Sequence, residues 1–299
     1  MKNKITCLLA GAALFGATAN AEIVLTDDLS AYGYIDMALT DGDGNDNTTT
    51  GVAEFELGFS FAPAESAWSA VAELSFDGAG VTDFETVTIT YALSDELSIT
   101  AGNILTYQGF ETFDATGLYQ FSYAGVGGTS LYSAGYAVGA SVDYATDAFA
   151  VGVWVGDTDD AVAGDGDGDP SYEFFVSYTG IENLSLNAVY ADDPGYETIN
   201  VWASYELGDL TFAVESVETE IAGIDALDVQ MAMVYYAMGD AGITLRVSDG
   251  DYAGVDYEKV TISPSYAFSD NVFGLVEFSV EEFGGVEAES GAVELIYSF

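Results

Sequence analysis

Hydrophobic and polar residues alternate along most of this chain in short stretches. Between residues 53 and 61, for example, the odd-numbered positions hold Ala, Phe, Leu, Phe and Phe, and the even-numbered positions hold Glu, Glu, Gly and Ser. A period of two predicts β-strands with one apolar face. The pattern predicts sixteen strands, at residues 30–39, 51–61, 67–77, 84–93, 97–106, 131–145, 148–156, 172–180, 184–191, 197–206, 210–218, 227–236, 241–249, 257–268, 272–281 and 290–299.

Seven sharp turns between these strands each follow an aromatic residue, and an acidic residue stands three or four positions later. The aromatics are Phe61, Tyr91, Tyr144, Tyr178, Tyr205, Tyr236 and Tyr266. Tight turns between period-two segments are typical of β-hairpins. An aromatic beside every turn indicates one common boundary, and a membrane–water interface suits such rings. We therefore predict an all-β fold, an antiparallel up-and-down transmembrane β-barrel of about 16 strands, with 14 or 18 as alternatives.

The connections on the other side are predicted to be longer, acidic and rich in glycine. They are residues 40–50, 78–83, 107–130, 157–171, 192–196, 219–226, 250–256 and 282–289. Short turns on one side and long loops on the other are the arrangement of bacterial outer-membrane barrels, and the chain ends in an alternating segment that closes with Phe299. The competing interpretation is a soluble β-sandwich or surface adhesin. It would need two domains for so many strands, and no linker divides the chain.

The first residues are expected to be a cleaved signal peptide. Residues 1–21 carry Lys2 and Lys4, a short apolar core and a small-x-small sequence that ends at Ala21. Residues 22–299 then form a single transmembrane β-barrel domain with an inserted loop at about 107–130. No later stretch has the ~20 consecutive apolar residues that a membrane helix needs.

Composition excludes several classes of function. The formal net charge of −46 at pH 7 excludes nucleic acid as a partner, because phosphate binding needs a basic surface. The chain has no histidine, and its one cysteine is Cys7, inside the expected signal peptide. Ser–His–Asp or Cys–His catalysis and ordinary zinc sites are therefore excluded. We expect no enzymatic activity and no cofactor.

The interval from Tyr91 to Tyr144 is longer than the other intervals between turns, and the excess is residues 107–130. This segment is aromatic where the other long connections are acidic; its aromatics are Tyr107, Phe110, Phe113, Tyr119, Phe121 and Tyr123. We expect such a loop to pack at the mouth or in the lumen, the interior of the barrel, where it would narrow the pore.

This region resembles the OmpL-like β-barrel porins, whose signature runs Gly-Lys-Phe, Thr-Pro, Gly-Tyr/Phe-Glu and Tyr-Ser-Arg-Ser. The chain has Gly102-Asn103-Ile104, Thr106-Tyr107, Gly109-Phe110-Glu111 and Tyr119-Gln120-Phe121-Ser122. The lysine, proline and arginine are replaced by Asn103, Tyr107 and Phe121, so the charges of the family's constriction are not carried over. The resemblance implies a porin fold and function, and a homotrimer as in other sixteen-strand porins.

Arg246 and Lys259 are the only cations after residue 21. Both fall on polar faces of neighbouring strands, directly opposite each other if their hairpin is centred on 252–253. One hypothesis is a transverse field at the constriction, with these cations facing Glu111 and Asp114. The other is two ordinary wall residues neutralised by neighbouring acids. The predicted constriction set is Tyr107, Phe110, Glu111, Asp114, Tyr119, Arg246 and Lys259.

Acidic residues dominate the predicted inward faces. They are Glu54, Glu56, Glu73, Glu85, Asp143, Glu173, Asp228, Glu277 and Glu294. Two acidic loops, which contain Asp41 and Asp43, and Asp165, Asp167 and Asp169, resemble incomplete calcium loops and are at most weak divalent sites.

An acidic lumen favours cations. We therefore expect an outer-membrane porin of a Gram-negative bacterium, with a water-filled, cation-preferring pore for ions and small hydrophilic solutes. Its partners would be outer-membrane lipid and these solutes. The alternatives are a plugged structural or adhesive surface barrel and a channel for apolar substrates.

Overall fold

A computed structural model describes residues 22–42, 49–77, 82–111, 113–157, 170–193 and 195–299. Its strands are β1 Ile23–Val24, β2 Leu29–Gly42, β3 Thr49–Phe61, β4 Trp68–Asp77, β5 Thr82–Ala92, β6 Leu97–Leu105, β7 Tyr136–Ala145, β8 Phe149–Asp157, β9 Ser171–Ile181, β10 Leu184–Asp193, β11 Tyr196–Leu207, β12 Leu210–Ile221, β13 Ile224–Met238, β14 Ala241–Tyr252, β15 Val255–Ser269, β16 Val272–Phe283 and β17 Val286–Ser298. Short 3-10 turns lie at Ala115–Gly117 and Val126–Gly128. The expected signal peptide and four of the acidic loop residues (Asp43, Asp165, Asp167 and Asp169) lie outside the described residues.

Strands β2 to β17 form one closed antiparallel barrel. Each strand pairs with its neighbours in sequence, and β17 pairs with β2, from Ser290 opposite Gly42 to Ser298 opposite Tyr34. Phe299 continues this seam, since its backbone exchanges two hydrogen bonds of 2.9 Å with Gly33. The short β1 adds to the edge of β2. The prediction of a sixteen-stranded up-and-down barrel is confirmed. Within the described residues, no helix has both the length and the apolar character needed to cross a membrane.

The outer face of the barrel is an apolar belt bordered by aromatics. Outward side chains halfway along the strands are aliphatic and exposed, such as Leu245, Val247, Val260 and Ile262. The aromatics at the seven short turns also point outward, and Tyr91 packs against exposed Trp68 with ring centroids 4.5 Å apart. Because aliphatic residues suit hydrocarbon and aromatic rings suit its border, this surface is the one that a membrane barrel needs.

Three connections on the other side are shorter than predicted. The segments predicted as loops at 219–226, 250–256 and 282–289 are mostly strand, joined by two-residue turns at 222–223, 253–254 and 284–285. Both residues of each turn have positive φ, which is the type I′ geometry that fits the twist of a hairpin. The predicted loops were wrong because the alternation of apolar and polar residues is lost in these segments, while the backbone ladder between the strands continues.

Candidate functional site

The inserted loop folds into the lumen and hydrogen-bonds to the wall with its backbone N–H groups. It runs from residue 106 to residue 135, five residues beyond the predicted end, because β7 begins only at Tyr136. Buried N–H groups need acceptors, and inward side chains of β9, β11, β12 and β16 supply them. Tyr107 donates to Glu173 at 2.7 Å, Gly109 to Asn200 at 2.7 Å, Phe110 to Glu215 at 2.9 Å, Ser122 to Glu277 at 3.1 Å and Gly127 to Glu281 at 2.9 Å.

Strands β14 and β15 supply donors to the loop carbonyls. Thr244 donates to the carbonyl of Tyr119 at 3.0 Å, and Tyr257 donates to that of Ala124 at 2.7 Å. The carbonyl of Tyr123 accepts from both cations, from Arg246 Nη2 at 2.8 Å and from Lys259 Nζ at 2.9 Å. The two cations of the wall therefore bind one point of the loop backbone.

Arg246 also forms an ion pair with Glu111 of the loop. Their side chains are 1% and 6% exposed, and the pair joins Nη1 to Oε1. The other oxygen of Glu111 accepts from the N–H of Ala124 at 2.9 Å, so this carboxylate also closes the loop on itself. Arg246 and Lys259 lie beneath the loop rather than across an open lumen from it. Charge-assisted bonds in so buried a place are among the stronger hydrogen bonds of a protein.

The prediction that Arg246 and Lys259 lie directly opposite each other, which assumed a hairpin centred on 252–253, was wrong. Arg246 pairs with Thr261, and Lys259 pairs with Ser248, so the cations are diagonal neighbours on one face. The turn is centred on 253–254 rather than on 252–253, which shifts the register by two residues. Lys259 stands opposite Glu281 of β16, a partner of opposite sign.

An apolar core fills the space between the loop and strands β12 and β13. Tyr119, Ala124 and Leu131 of the loop pack against a group of buried wall residues, which are Ala213, Val217, Val229, Met231, Met233 and Tyr257. Phe110 stacks on Tyr119 with ring centroids 6.2 Å apart, so these two aromatics of the loop belong to this core, whereas Tyr107 stacks on Phe175 of β9.

The prediction that Asp228 points into the lumen was wrong, because the apolar face of its strand packs against the loop. Strand β13 buries Val229 and Met231 on the inner face and exposes Asp228 and Gln230 on the outer face. Its apolar face therefore meets the loop rather than lipid. A rule that places every apolar face outward predicts the wrong orientation for this strand.

Four of the predicted acidic residues gather on the opposite wall. Glu54 and Glu56 of β3, Glu73 of β4 and Glu85 of β5 share one region of the inner face. Asp114 of the loop faces this region: its burial, together with the charges of Glu73, Glu85 and Glu54, raises the pKa of its carboxyl to about 7. The loop thus has one side bound to β9–β16 and one acidic residue turned toward β3–β5.

Two of the remaining predicted residues, Asp143 and Glu277, hold the start and the middle of the loop, and the buried Glu294 of β17 contacts Asp36 of β2 instead. Asp143 accepts from the hydroxyls of Tyr107 and Ser141 at 2.5 and 2.6 Å, and Glu277 binds Ser122 as described above. Asp41 is exposed at the end of β2. Asn200, Glu215 and Glu281 also hold the loop but were not predicted as site residues. Their place on the polar positions of β11, β12 and β16 was the signal in the sequence that they face the lumen.

Comparisons with known proteins show the same fold at low identity. A trimer form of OmpT, an outer membrane protein of Vibrio cholerae, superposes with a TM-score of 0.69 at 15% identity over 91% of this chain and 99% of that chain. An anion-selective porin from Comamonas acidovorans gives 0.73 at 15% identity, with 91% and 99% covered. A variant of the Rh. blastica porin gives 0.67 at 20% identity, with 91% and 100% covered.

No protein-family model and no curated protein matches the chain. The resemblance to the OmpL-like porins therefore stays a prediction. The similarity to solved porins at this level of identity establishes the barrel fold.

Proposed function

We propose that this chain is an outer-membrane porin of a Gram-negative bacterium. It forms a water-filled, cation-preferring pore through which ions and small hydrophilic solutes diffuse passively, and it is not an enzyme. The porin folds that superpose on it support the first part of the proposal. Selectivity does not follow from that fold, since one of these neighbours is described as anion-selective.

The distribution of charge carries the cation preference. Arg246 and Lys259 are 1% and 3% exposed; Arg246 is paired with Glu111 and Lys259 stands opposite Glu281, so neighbouring acids compensate both positive charges. The wall of β3–β5 holds the half-buried Glu54, Glu73 and Glu85, with Asp114 on the loop side. Carboxylates along a narrow lumen raise the local concentration of cations and exclude anions.

The constriction lies, in this proposal, between Asp114 and the acidic wall of β3–β5. Tyr107, Phe110, Glu111 and Tyr119 then act indirectly, because they fix the loop against the opposite wall. Arg246 and Lys259 have the same indirect role. In this arrangement the lumen carries charge of one sign, negative, and there is no transverse field between cations on one side and acids on the other.

Selectivity tests the proposal through two residues that line the constriction. In Glu73→Gln combined with Asp114→Asn, the reversal potential in a KCl gradient at pH 8, above the pKa of Asp114, should move toward zero, because two acidic side chains are removed from the narrowest part of the path. The matched control is Glu218→Gln with Glu258→Gln, which removes two exposed charges from the outer face. Equal reversal potentials for the two double variants would refute the constriction.

A plugged barrel is the second candidate, and the apolar core between loop and wall favours it. That core fills the lumen beside β12 and β13 and would support a structural or adhesive surface protein. A folded, purified protein that never conducts in planar bilayers would establish this candidate. A channel for apolar substrates has less support, because Phe110 and Tyr119 are used in the core.

Assembly as a homotrimer in outer-membrane lipid belongs to the same proposal. One superposed neighbour is described as a trimer form. Chemical cross-linking of the protein in lipid should give a band of three chains, and a product limited to single chains would refute the trimer.

A further inference from the structure

Three carboxylates on the inner face of the barrel lie close enough to bind one ion. Oxygen atoms of Glu54, Glu56 and Glu85, one from each residue, all lie within 4.8 Å of one another. Two oxygens bound to the same Ca²⁺ ion at 2.3–2.6 Å are separated by at most about 5 Å. The spacing therefore fits a shared cation, whereas three bare carboxylates at this distance repel one another.

Glu56 is the member of the three whose burial most favours a bound cation. Its side chain is 3% exposed, and among the described residues neither its Oε2 atom nor the Oε2 atom of Glu85 has a hydrogen-bond donor. A buried carboxylate oxygen without a donor or a cation is costly.

Neighbouring hydroxyls hold Glu54 in position. Tyr34 of β2 donates to Oε2 of Glu54 at 2.7 Å, and Ser75 of β4 donates to Oε1 at 2.6 Å. Outer hydrogen bonds of this kind orient the carboxylates that bind a metal.

Glu85 is held by an irregularity in its strand. The register between β4 and β5 shifts so that Glu73 alone stands opposite both Glu85 and Thr86, which is a β-bulge. The amide of Asn103 in β6 donates to the carbonyls of Phe84 and Glu85 at 3.0 and 2.6 Å and fixes the bulged backbone. Bulges commonly redirect a side chain toward a site.

We infer that Glu54, Glu56 and Glu85 bind a calcium ion on the inner wall of the barrel. Carboxylate oxygens are the ligands that hard divalent cations prefer, and the spacing and flexible geometry suit Ca²⁺ better than the smaller, strictly octahedral Mg²⁺. Water in the lumen supplies the remaining ligands. The inference does not depend on whether the barrel conducts.

Calorimetric titration of the folded protein in detergent with CaCl₂ tests the site. Wild type should bind calcium with a Kd of about 10⁻⁴–10⁻³ M, the range of extracellular calcium modules. Glu56→Gln combined with Glu85→Gln should abolish this binding, and Glu218→Gln with Glu258→Gln on the outer face should leave it unchanged. Wild type that does not bind, or equal binding by wild type and the Glu56/Glu85 variant, would overturn the inference; in the latter case the acidic outer loops hold the ion.

Thermal unfolding provides the second measurement and reports on folding of the variant. Calcium should raise the Tm of wild type and not that of the Glu56/Glu85 variant, because only a ligand of the native state stabilises it. Tyr34→Phe removes a positioning hydroxyl and should weaken calcium binding by about 10–100-fold with the barrel intact. A Tm increase shared by wild type and the Glu56/Glu85 variant would contradict a site at these residues. Since neither measurement involves ion flow, their failure would leave the pore proposal standing.

Discussion

Arg246 is the side chain on which the position of the inserted loop most depends. It joins the carboxylate of Glu111 to the carbonyl of Tyr123, two points of the loop that are separated in sequence. The sequence identified this residue because cations are so scarce after residue 21. Its partnership with Glu111 was foreseen as an attraction across the lumen. Its bond to a backbone carbonyl could not be foreseen, because every residue offers the same carbonyl.

Replacing Arg246 with methionine should destabilise the protein strongly. Glu111 would be left as a buried charge without its partner, and loss of one member of a buried pair costs about 3–5 kcal/mol. Urea unfolding in lipid vesicles measures the change in the free energy of unfolding. The double variant Arg246→Met with Glu111→Gln serves as the control and should recover much of the loss. If the single and double variants were equally unstable, the ion pair would not be the cause.

At the scale of elements, strand β13 shows why an apolar face need not meet lipid. Met231 points inward and packs beneath the loop, while Gln230 beside it points outward. Met231→Ala should lower the free energy of unfolding by about 2–5 kcal/mol, the usual cost of truncating a buried methionine. Gln230→Ala, one position away, should change it by less than about 0.5 kcal/mol. Equal effects of the two substitutions would mean that the core beneath the loop does not contribute to stability.

The sequence predicts the existence of strands better than their orientation or their length. Alternation and the aromatic turns located all sixteen barrel strands and the side of the short turns. Alternation does not determine which face of a strand points into the barrel. In β13 the prediction therefore placed the outward-facing Asp228 inside. It also fails for β12 to β17 beyond the membrane, where turns such as Ala222–Gly223 replace the predicted loops.

The acidic wall of β3–β5 was predictable only in part. Glu54, Glu56, Glu73 and Glu85 were placed inward by alternation alone. Their convergence depends on the bulge at Glu85 and on the donors Tyr34 and Ser75, which are contacts between strands. A period along one strand carries no information about register across its neighbours.

At the scale of the whole molecule, the barrel presents an apolar belt to its surroundings and an acidic lumen to its interior. Val247 lies halfway along β14 and faces outward, whereas Leu207 faces outward at the end of β11, next to the short turn before Leu210. In bilayers, Val247→Arg should cost about 2–4 kcal/mol of folding free energy and Leu207→Arg about 0–1 kcal/mol, because a charge is most costly at the membrane midplane. Reversible folding into vesicles measures both values, and a larger cost at Leu207 would mean that the membrane is centred elsewhere on the barrel.

In the proposed pore, the loop is held by the two cations and the lumen beside it carries negative charge. The most direct test is the reversal potential of single channels formed by the wild-type protein in planar bilayers across a KCl gradient. We expect open channels and a reversal potential of the sign set by potassium. A potential of the sign set by chloride, or membranes that stay closed with folded protein present, would rule out the proposed pore.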